Sequence, residues 1–403
     1  MKERKIDQIL NYRIQIGKLP MKVVDLLFIL CLWVFSFSLR WKLMPIESAD
    51  FWGFLQQWME EIRATGGFRS LGHQISNYTS PYMYLMCIAS YITTNDLYAL
   101  KLISFVFDYS ASVAVFLIVY EMTQRVRTST VAMAILLICP TVVIDSAYWC
   151  QCDIIYTSWI LWALLFFFRN DSKKCLIFIG IAFSFKLQTM FIIPFLIIMW
   201  LKKKTIRLRD FIYIPVIYVI SVLPAWMMGR DFKELMLIYF DQSGYYPWGT
   251  LEYPNIYAIM DETIQANHHM YEICSAGTVM VIVMMGFMAY YLYTKEFRMT
   301  NELLITLALF LVAITVYGLP HMHDRYGFLI DLLAIIYGVI NKNKLAVTCG
   351  FVLVSIVTFM PYLIAVNIVP LKYTAMGMLG LIVYVGHDLV MQIKSNTITL
   401  AER

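Results

Sequence analysis

"PYMYLMCIASYI", residues 81–92, is the stretch on which the topology of the chain depends. Its twelve residues rise about 18 Å as an α-helix, whereas the hydrocarbon core of a bilayer is roughly 30 Å thick. If the stretch crossed the membrane, every later loop would change sides. We therefore predict that 81–92 lies at the membrane interface and does not cross.

The composition places the rest of the chain in a membrane. Hydrophobic residues make up 60% of the 403 residues, the mean hydropathy is +0.67 and only 15% of residues are charged. A soluble core cannot bury that much apolar surface, so a soluble globular protein is excluded. The sequence predicts an all-α polytopic membrane protein with about 12 transmembrane helices (11–13). The apolar runs are 23–44, 99–122, 130–144, 154–168, 175–185, 188–201, 211–228, 273–294, 302–318, 327–340, 345–366 and 370–392.

The distribution of basic residues orients these spans. With 81–92 outside the hydrocarbon, 22 of the 32 Lys and Arg residues fall on the side that holds both termini. Cytoplasmic loops carry such an excess, so both termini are predicted to be cytoplasmic. Basic flanks also favour reading 175–185 and 188–201 as a tight pair that turns at "KLQ". The chain is then a single membrane domain, 1–403, with external loops at 45–98 and 229–272.

Metal and disulfide chemistry receive no support from the cysteines. The eight cysteines are scattered, mostly inside apolar runs, where cysteine acts as a small hydrophobe. Cys150 and Cys152 are too close in sequence for a ready disulfide, and no Cys/His cluster has zinc spacing. We expect neither a metal nor a cofactor.

The unusual polar residues collect on the predicted external face. Charges near membrane depth are costly and are commonly functional, so their convergence on one side indicates a site. They are Asp50, Tyr78, Lys101, Asp108, Asp145, Trp149, Gln151, Asp153, Lys186, Gln188, Asn255, His321, His323, Asp324, Arg325 and Tyr326.

Asp50 has two interpretations. It precedes "FWGFLQQW", an amphipathic run that suits the headgroup region, and it can cap the N-terminus of that helix. Alternatively, it is a carboxylate held at the water–lipid boundary, where a lipid-linked substrate presents its head. In the same loop, Asn77 begins a glycosylation sequon, which is weak information by itself.

The other charged residues also leave alternatives open. Lys101 and Asp108 share one face of the second span, so they form either a structural ion pair or ligand contacts. Lys186 has no acidic neighbour in sequence, and its partner is a carboxylate or a phosphate from elsewhere. "HMHDRY" is a plausible phosphate clamp, although His323 can simply pair with its acidic neighbour.

Four patches in order between residues 45 and 328 carry a family resemblance. They are "SADFWGFLQQW" with "NYTSPYMYL", then "PTVVIDSAYWCQCDIIYT", "FSFKLQTMFIIPFL" and "PHMHDRYGF". Together they resemble the GT-C superfamily of polyprenyl-phosphate-sugar-dependent glycosyltransferases, and within it the bacterial relatives of the glycosylphosphatidylinositol second mannosyltransferase. Two residues depart from the pattern. Cys150 stands where glycine is usual, and Asp324 replaces a commoner glutamate.

The resemblance implies a GT-C fold and a division of labour in the site. It makes Asp50 the catalytic base that deprotonates an acceptor hydroxyl. Basic residues would hold the phosphate of the donor, namely Lys186, Arg325, His323 and Lys101. The remaining residues implied to contact substrate are Tyr78, Trp149, Gln151, Asp153, Gln188, Asp324 and Tyr326.

The reaction implied is an inverting transfer of a hexose from a polyprenyl-phosphate sugar to a glycan or glycolipid acceptor. The absence of a glycine-rich nucleotide loop agrees with a lipid-linked donor. The expected setting is a bacterial plasma membrane and cell-envelope glycan synthesis, with the site on the external face and no nucleic-acid partner. Two alternatives stay open: a lipid-linked oligosaccharide flippase or transporter, and a polysaccharide polymerase or ligase.

Overall fold

The computed structural model describes residues 5–17, 19–202, 205–243, 248–260, 269–341 and 344–397. The α-helices within those ranges are α1 (Lys5–Asn11), α2 (Val23–Leu43), α3 (Gln56–Ala64), α4 (Ser80–Ile92), α5 (Asp96–Thr123), α6 (Val126–Ile138), α7 (Pro140–Val143), α8 (Asp153–Phe168), α9 (Ser172–Phe185), α10 (Ile193–Lys202), α11 (Tyr213–Met227), α12 (Phe232–Ser243), α13 (Met270–Thr294), α14 (Asn301–Gly318), α15 (Phe328–Ile340), α16 (Leu345–Ile364) and α17 (Leu371–Ser395).

Short π-helical and 3₁₀-helical turns lie between these helices. The π-helical turns are Phe51–Leu55 and Ile144–Tyr148, and the 3₁₀ turns are Gly67–Gly72, Leu187–Ile192, Leu208–Ile212 and Ile256–Ile259. Four short strands complete the fold: β1 (Arg13–Ile16) pairs antiparallel with β2 (Leu19–Lys22), and β3 (Thr250–Leu251) pairs parallel with β4 (Met322–His323).

Seven helical segments of the described residues are long and apolar enough to cross a membrane. They are Val23–Leu43, Asp96–Thr123, Leu208–Met227, Met270–Thr294, Asn301–Gly318, Leu345–Ile364 and Leu371–Ser395. An eighth is the pair Val126–Ile138 and Pro140–Tyr148, bent by 47°. The predicted all-α polytopic class is thereby confirmed, and the chain is an integral membrane protein. The total of about 12 spans and the orientation of the termini stay predictions.

Helix α4 contains the stretch that the topology depends on. It covers 13 residues, which rise about 20 Å, and it is not among the candidate spans. Met83, Met86 and Cys87 on its inner face are buried against the bundle. That this segment does not cross the membrane stays a prediction. The second external loop, 229–272, is only partly within the described residues.

A break between α6 and α7 places side chains in the site. Pro140 begins α7 after α6 ends at Ile138, and a π-helical turn follows before α8 begins at Asp153. Between them Cys150 has φ +67°, a left-handed conformation that favours glycine. This explains why glycine is usual at that position in the family pattern. Cys150 adopts the same turn at a steric cost of about 1 kcal/mol.

A buried ion pair joins the first two spans. Arg40 Nε of α2 lies 2.7 Å from Asp108 Oδ2 of α5, and both side chains are fully buried. Ser146 Oγ donates to the same carboxylate oxygen at 2.7 Å. The pairing of Asp108 with Lys101, one of the two sequence alternatives, is therefore wrong. Arginine at the end of an apolar run gave no sequence signal for this partnership.

Candidate active site

Asp50 lies at the centre of a hydrogen-bond cluster whose donors come from two distant segments of the chain. Its Oδ2 accepts from Trp149 Nε1 at 3.0 Å and from Gln151 Nε2, and its Oδ1 accepts from the hydroxyl of Tyr362 in α16. The capping interpretation is wrong, because the Asp50 side chain makes no cap hydrogen bond. Ser48 Oγ instead accepts from the backbone N–H of Phe51 at 3.2 Å. The carboxylate of Asp50 is thus oriented by tertiary contacts.

Two cations converge on Asp153, and one of them also reaches the Asp50 carboxylate. Lys186 Nζ lies 2.6 Å from Asp153 Oδ1, and Arg325 Nη1 lies 3.3 Å from Asp153 Oδ2. Arg325 Nη2 reaches to 3.9 Å from Asp50 Oδ2, and its Nε lies 3.5 Å from Asp324 Oδ1. Asp153 is fully buried, whereas Asp50, Lys186 and Arg325 each keep a small exposed fraction. The result is an alternating set of charges that opens toward solvent at Asp50.

Both cations keep their charge in this setting. Burial by itself lowers the pKa of Lys186, but the adjacent carboxylate of Asp153 outweighs it and raises that pKa well above its usual value. The pKa of Arg325 moves in the same direction for the same reason. Since an ammonium has three N–H donors and one is used on Asp153, Lys186 retains donors for a further anion.

Aromatic rings support the cluster. The indole of Trp149 stacks on Tyr362 with ring centroids 5.0 Å apart, and the guanidinium of Arg325 lies 5.0 Å from the Trp149 ring. Phe359 contacts the same indole edge-on at 5.3 Å. Tyr362 was not predicted from the sequence, because it sits in an apolar run 312 residues from Asp50 with no motif around it. Only the packing of α16 brings it to the site.

A narrow cleft lies next to Lys186. Its lining residues are Tyr78, Tyr82, Cys152, Ile155, Tyr156, Phe185 and Lys186. Burial raises the pKa of Tyr78 above its usual value, so its hydroxyl keeps its proton. Of the sequence-predicted substrate residues, Tyr326 also borders Lys186, with its ring 6.0 Å from Nζ. Gln188 is buried nearby, and its Oε1 has no hydrogen-bond partner among the described residues.

Lys101 has different contacts from the other predicted site residues. Its ammonium donates to the backbone carbonyls of Leu43, Met44 and Ile46 at 3.0, 3.1 and 2.6 Å. These carbonyls lie at the end of α2, a few residues before Asp50. Lys101 therefore fixes the start of the external loop, and its contact with a donor phosphate stays a prediction.

The second external loop is tied to the "HMHDRY" segment. Strands β3 and β4 pair, and His321 N donates to Gly249 O at 3.1 Å. Asn255 Nδ2 donates to Gly249 O and Leu319 O at 3.0 and 3.1 Å. The loop that carries Arg325 is thereby held in place by residues 249–255. Across the described ranges, no group of three or more His, Cys, Asp or Glu residues is arranged to hold a metal ion.

Folding shifts the pKa values of the neighbouring residues His323 and Asp324 in opposite directions. Burial raises the pKa of Asp324 from 3.8 to about 6, although Arg325 opposes the shift. Burial, with repulsion from Arg325, lowers the pKa of His323 from 6.5 to about 4. Between pH 4 and 6 the folded protein thus keeps a proton on Asp324 and lacks one on His323, the reverse of the unfolded chain.

This opposition predicts two variants with opposite pH dependence. In Asp324→Asn the shifted imidazole of His323 remains without the shifted carboxyl. Its contribution to stability should therefore rise by about 3 kcal/mol as the pH rises from 4 to 6.5. In His323→Gln the shifted carboxyl of Asp324 remains without the shifted imidazole, and its contribution to stability should fall by about 2 kcal/mol from pH 4 to 6. Thermal unfolding of both variants and the wild type across this range is the measurement. Parallel curves for the two variants would contradict the assignment.

Comparison with known proteins identifies the fold. No protein-family description and no curated protein matches the sequence. Among solved structures, the chain is similar to the crystal structure of ArnT from Cupriavidus metallidurans bound to undecaprenyl phosphate. The TM-score is 0.55 at 11% identity, over 91% of this chain and 77% of that one. The fold is GT-C. The fold that the sequence motifs implied is therefore confirmed, over nearly the whole chain.

Proposed function

We propose that the protein is an inverting glycosyltransferase that moves a hexose from a polyprenyl-phosphate sugar to an acceptor hydroxyl. The observation that carries this proposal is the arrangement around Asp50. A partly exposed carboxylate is oriented by three donors in a GT-C fold, Arg325 lies 3.9 Å from it, and Asp153 links Arg325 to Lys186. The similar ArnT structure holds undecaprenyl phosphate, which supports a lipid-phosphate substrate here.

In the proposed reaction, Asp50 accepts the proton of the acceptor hydroxyl as its oxygen attacks the anomeric carbon. The bond from that carbon to the phosphate oxygen breaks, and its electron pair leaves with the polyprenyl phosphate. A single displacement inverts the anomeric configuration. Negative charge develops on the leaving phosphate, where preorganised cations stabilise it most.

Lys186 and Arg325 are the proposed partners of that phosphate. Asp153 neutralises part of their charge in the absence of substrate and holds both side chains in one geometry. Preorganisation of this kind removes the need to reorient the cations during the reaction. The spare donors of Lys186 face the cleft that Tyr78 and Tyr156 line. We assign the donor phosphate to this cleft and the acceptor to the open side of Asp50.

The location follows from the topology predicted by the basic residues. That topology puts the site on the external face of a plasma membrane, and the product would be a cell-envelope glycan or glycolipid. The amphipathic segment after Asp50 exposes Trp52 and Phe54, which suits burial among lipid headgroups. A donor anchored in the membrane would then present its sugar at the height of Asp50.

The test is sugar transfer by the purified full-length protein in lipid nanodiscs, with a panel of synthetic polyprenyl-phosphate hexoses and candidate acceptors. The expected result is a glycosidic product whose anomeric configuration is opposite to that of the donor. Retention of configuration would contradict the single displacement. Movement of intact donor across sealed vesicles, with no transfer from any member of the panel, would favour the flippase alternative.

A further inference from the structure

A second cleft lies across the first turns of α4 from the cleft beside Lys186. It is open to solvent, and its lining residues are Leu71, His73, Ile75, Ser80, Met83, Ala225 and Arg230. Ser80 and Met83 stand three apart on one face of α4, whereas Tyr82 of the same helix faces the other cleft. The second cleft is therefore separate from the Asp50 site.

Arg230 is the charged group that is built into this cleft. Gly229 has φ +111°, and Arg230 N donates to Ala225 O at 3.2 Å while Gly229 N donates to Trp226 O at 2.9 Å. These two bonds form a Schellman motif, which ends α11 in a fixed geometry. The backbone of Arg230 is thus set by the end of the helix, and its side chain follows inward.

The guanidinium of Arg230 makes no hydrogen bond or ion pair with another protein group among the described residues. Its residue is only 5% exposed, its Nε has no hydrogen-bond acceptor, and no carboxylate lies within 4 Å of it. Glu234, on α12, is exposed and makes no ion pair with it. An unpaired buried charge is costly, so such groups are normally paired or bind a ligand.

The rest of the lining favours an anion as that ligand. No carboxylate lines the cleft, the hydroxyl of Ser80 has no hydrogen-bond partner there, and the N-terminal end of α4 lies at the same place. The N-terminus of a helix carries unpaired N–H groups and a partial positive charge. Arginine presents a planar fork of donors that matches phosphate oxygens.

The surroundings of the cleft indicate where the anion comes from. Trp226, Met227, Met228 and Phe232 flank Arg230 in sequence and expose 50%, 80%, 44% and 38% of their surface. Exposed apolar side chains next to a buried cation suit a ligand with a phosphate head and an apolar tail. We propose that the cleft around Arg230 binds the phosphate group of a membrane lipid, at a site distinct from the Asp50 cluster.

The test measures lipid binding without any sugar donor, so it is independent of transfer. Full-length protein is placed in phosphatidylcholine nanodiscs with and without phosphatidylglycerol, and bound lipid is counted by native mass spectrometry. Arg230→Gln should weaken phosphatidylglycerol binding about tenfold or more. Arg69→Gln, an equal charge change at an exposed position of the loop 45–98, should weaken it less than about twofold.

Two further measurements separate the outcomes. Because Arg230 contacts no protein acceptor, the thermal midpoint of Arg230→Gln in phosphatidylcholine alone should not fall below that of the wild type. A clear fall would show a structural role and would overturn the proposal. Arg230→Lys keeps the charge but loses the planar fork. It should bind phosphatidylglycerol more weakly than the wild type does, and this comparison stands even if the Gln variant does not fold.

Inorganic phosphate distinguishes a soluble phosphate from a lipid phosphate as the ligand of the cleft. If added phosphate stabilises the wild type but not Arg230→Gln, and phosphatidylglycerol does not, the cleft is an anion site for a soluble phosphate and the lipid source is overturned. If Arg230→Gln and Arg69→Gln respond alike to inorganic phosphate and to phosphatidylglycerol, Arg230 recognises neither anion and the whole inference is overturned.

Discussion

Asp50→Asn is expected to reduce sugar transfer on the order of 10³-fold at saturating donor. The asparagine has nearly the same shape, and its carbonyl oxygen can still accept from Trp149 Nε1 or Gln151 Nε2. It cannot take a proton from an acceptor hydroxyl. Donor binding should change little, because the proposed phosphate contacts are made by Lys186 and Arg325. The measurement is the initial rate and the donor KM in nanodiscs.

A matched control for this variant is Glu60→Gln. Glu60 lies in the same external loop, is exposed, and accepts only from Gln56 Nε2 at 2.9 Å. The charge change is identical, so a general electrostatic effect of the loop would lower both rates. Transfer by Asp50→Asn at the wild-type rate would sink the assignment of Asp50 as the base. Asp50 would then serve only to orient Trp149 and Gln151.

Tyr362→Phe tests the support of the carboxylate without removing it. The variant loses the hydroxyl that donates to Asp50 Oδ1 but keeps the ring that stacks on Trp149. One hydrogen bond of three is lost, so transfer should fall only roughly 3- to 10-fold. Equal losses in Tyr362→Phe and Asp50→Asn would indicate that Tyr362 itself contacts the reacting groups.

The sequence predicted the fold class because hydropathy reports directly on the lipid environment. Lengths of apolar runs and the placement of basic residues depend on bilayer thickness and charge, which act on each segment separately. The ordered motifs also placed Asp50, Trp149, Gln151, Asp153, Lys186 and Arg325 together, and the structure brings their side chains within contact distance. The catalytic and phosphate-binding roles of these residues stay predictions.

Pairings between distant segments were the part that the sequence did not predict. Asp50 is bound by Tyr362, and Asp108 by Arg40, across 312 and 68 residues. Neither partner stands in a motif, since one sits in an apolar helix and the other at the end of an apolar run. Local reasoning therefore left a capping role open for Asp50 and offered the nearby Lys101 as one possible partner of Asp108. Helix packing, which depends on the whole chain, decides both.

The Arg40–Asp108 pair gives the largest expected effect on stability. Asp108→Asn should lower the free energy of unfolding by about 3–5 kcal/mol, because it leaves the guanidinium of Arg40 buried without its counter-charge. Leu137 O, which accepts from Arg40 Nη1 at 2.9 Å, compensates only as a neutral acceptor. Glu121→Gln is the control. Glu121 pairs with Arg169 at 3.2 Å, and both side chains are more than a third exposed. It should cost less than about 1 kcal/mol.

The double variant Arg40→Met with Asp108→Leu separates charge from packing. If the penalty of the single variant comes from an unpaired buried charge, removing both charges should recover most of the lost stability, because apolar replacements of buried pairs are often neutral or stabilising. The measurement is the free energy of unfolding of Asp108→Asn, Glu121→Gln and the double variant in the same detergent series. A double variant as unstable as Asp108→Asn would show that Ser36 and Ser146, which bond to the pair, need it as a partner in its own right. The ion pair would then act as the centre of a polar network joining α2, α5 and the turn that leads to Trp149.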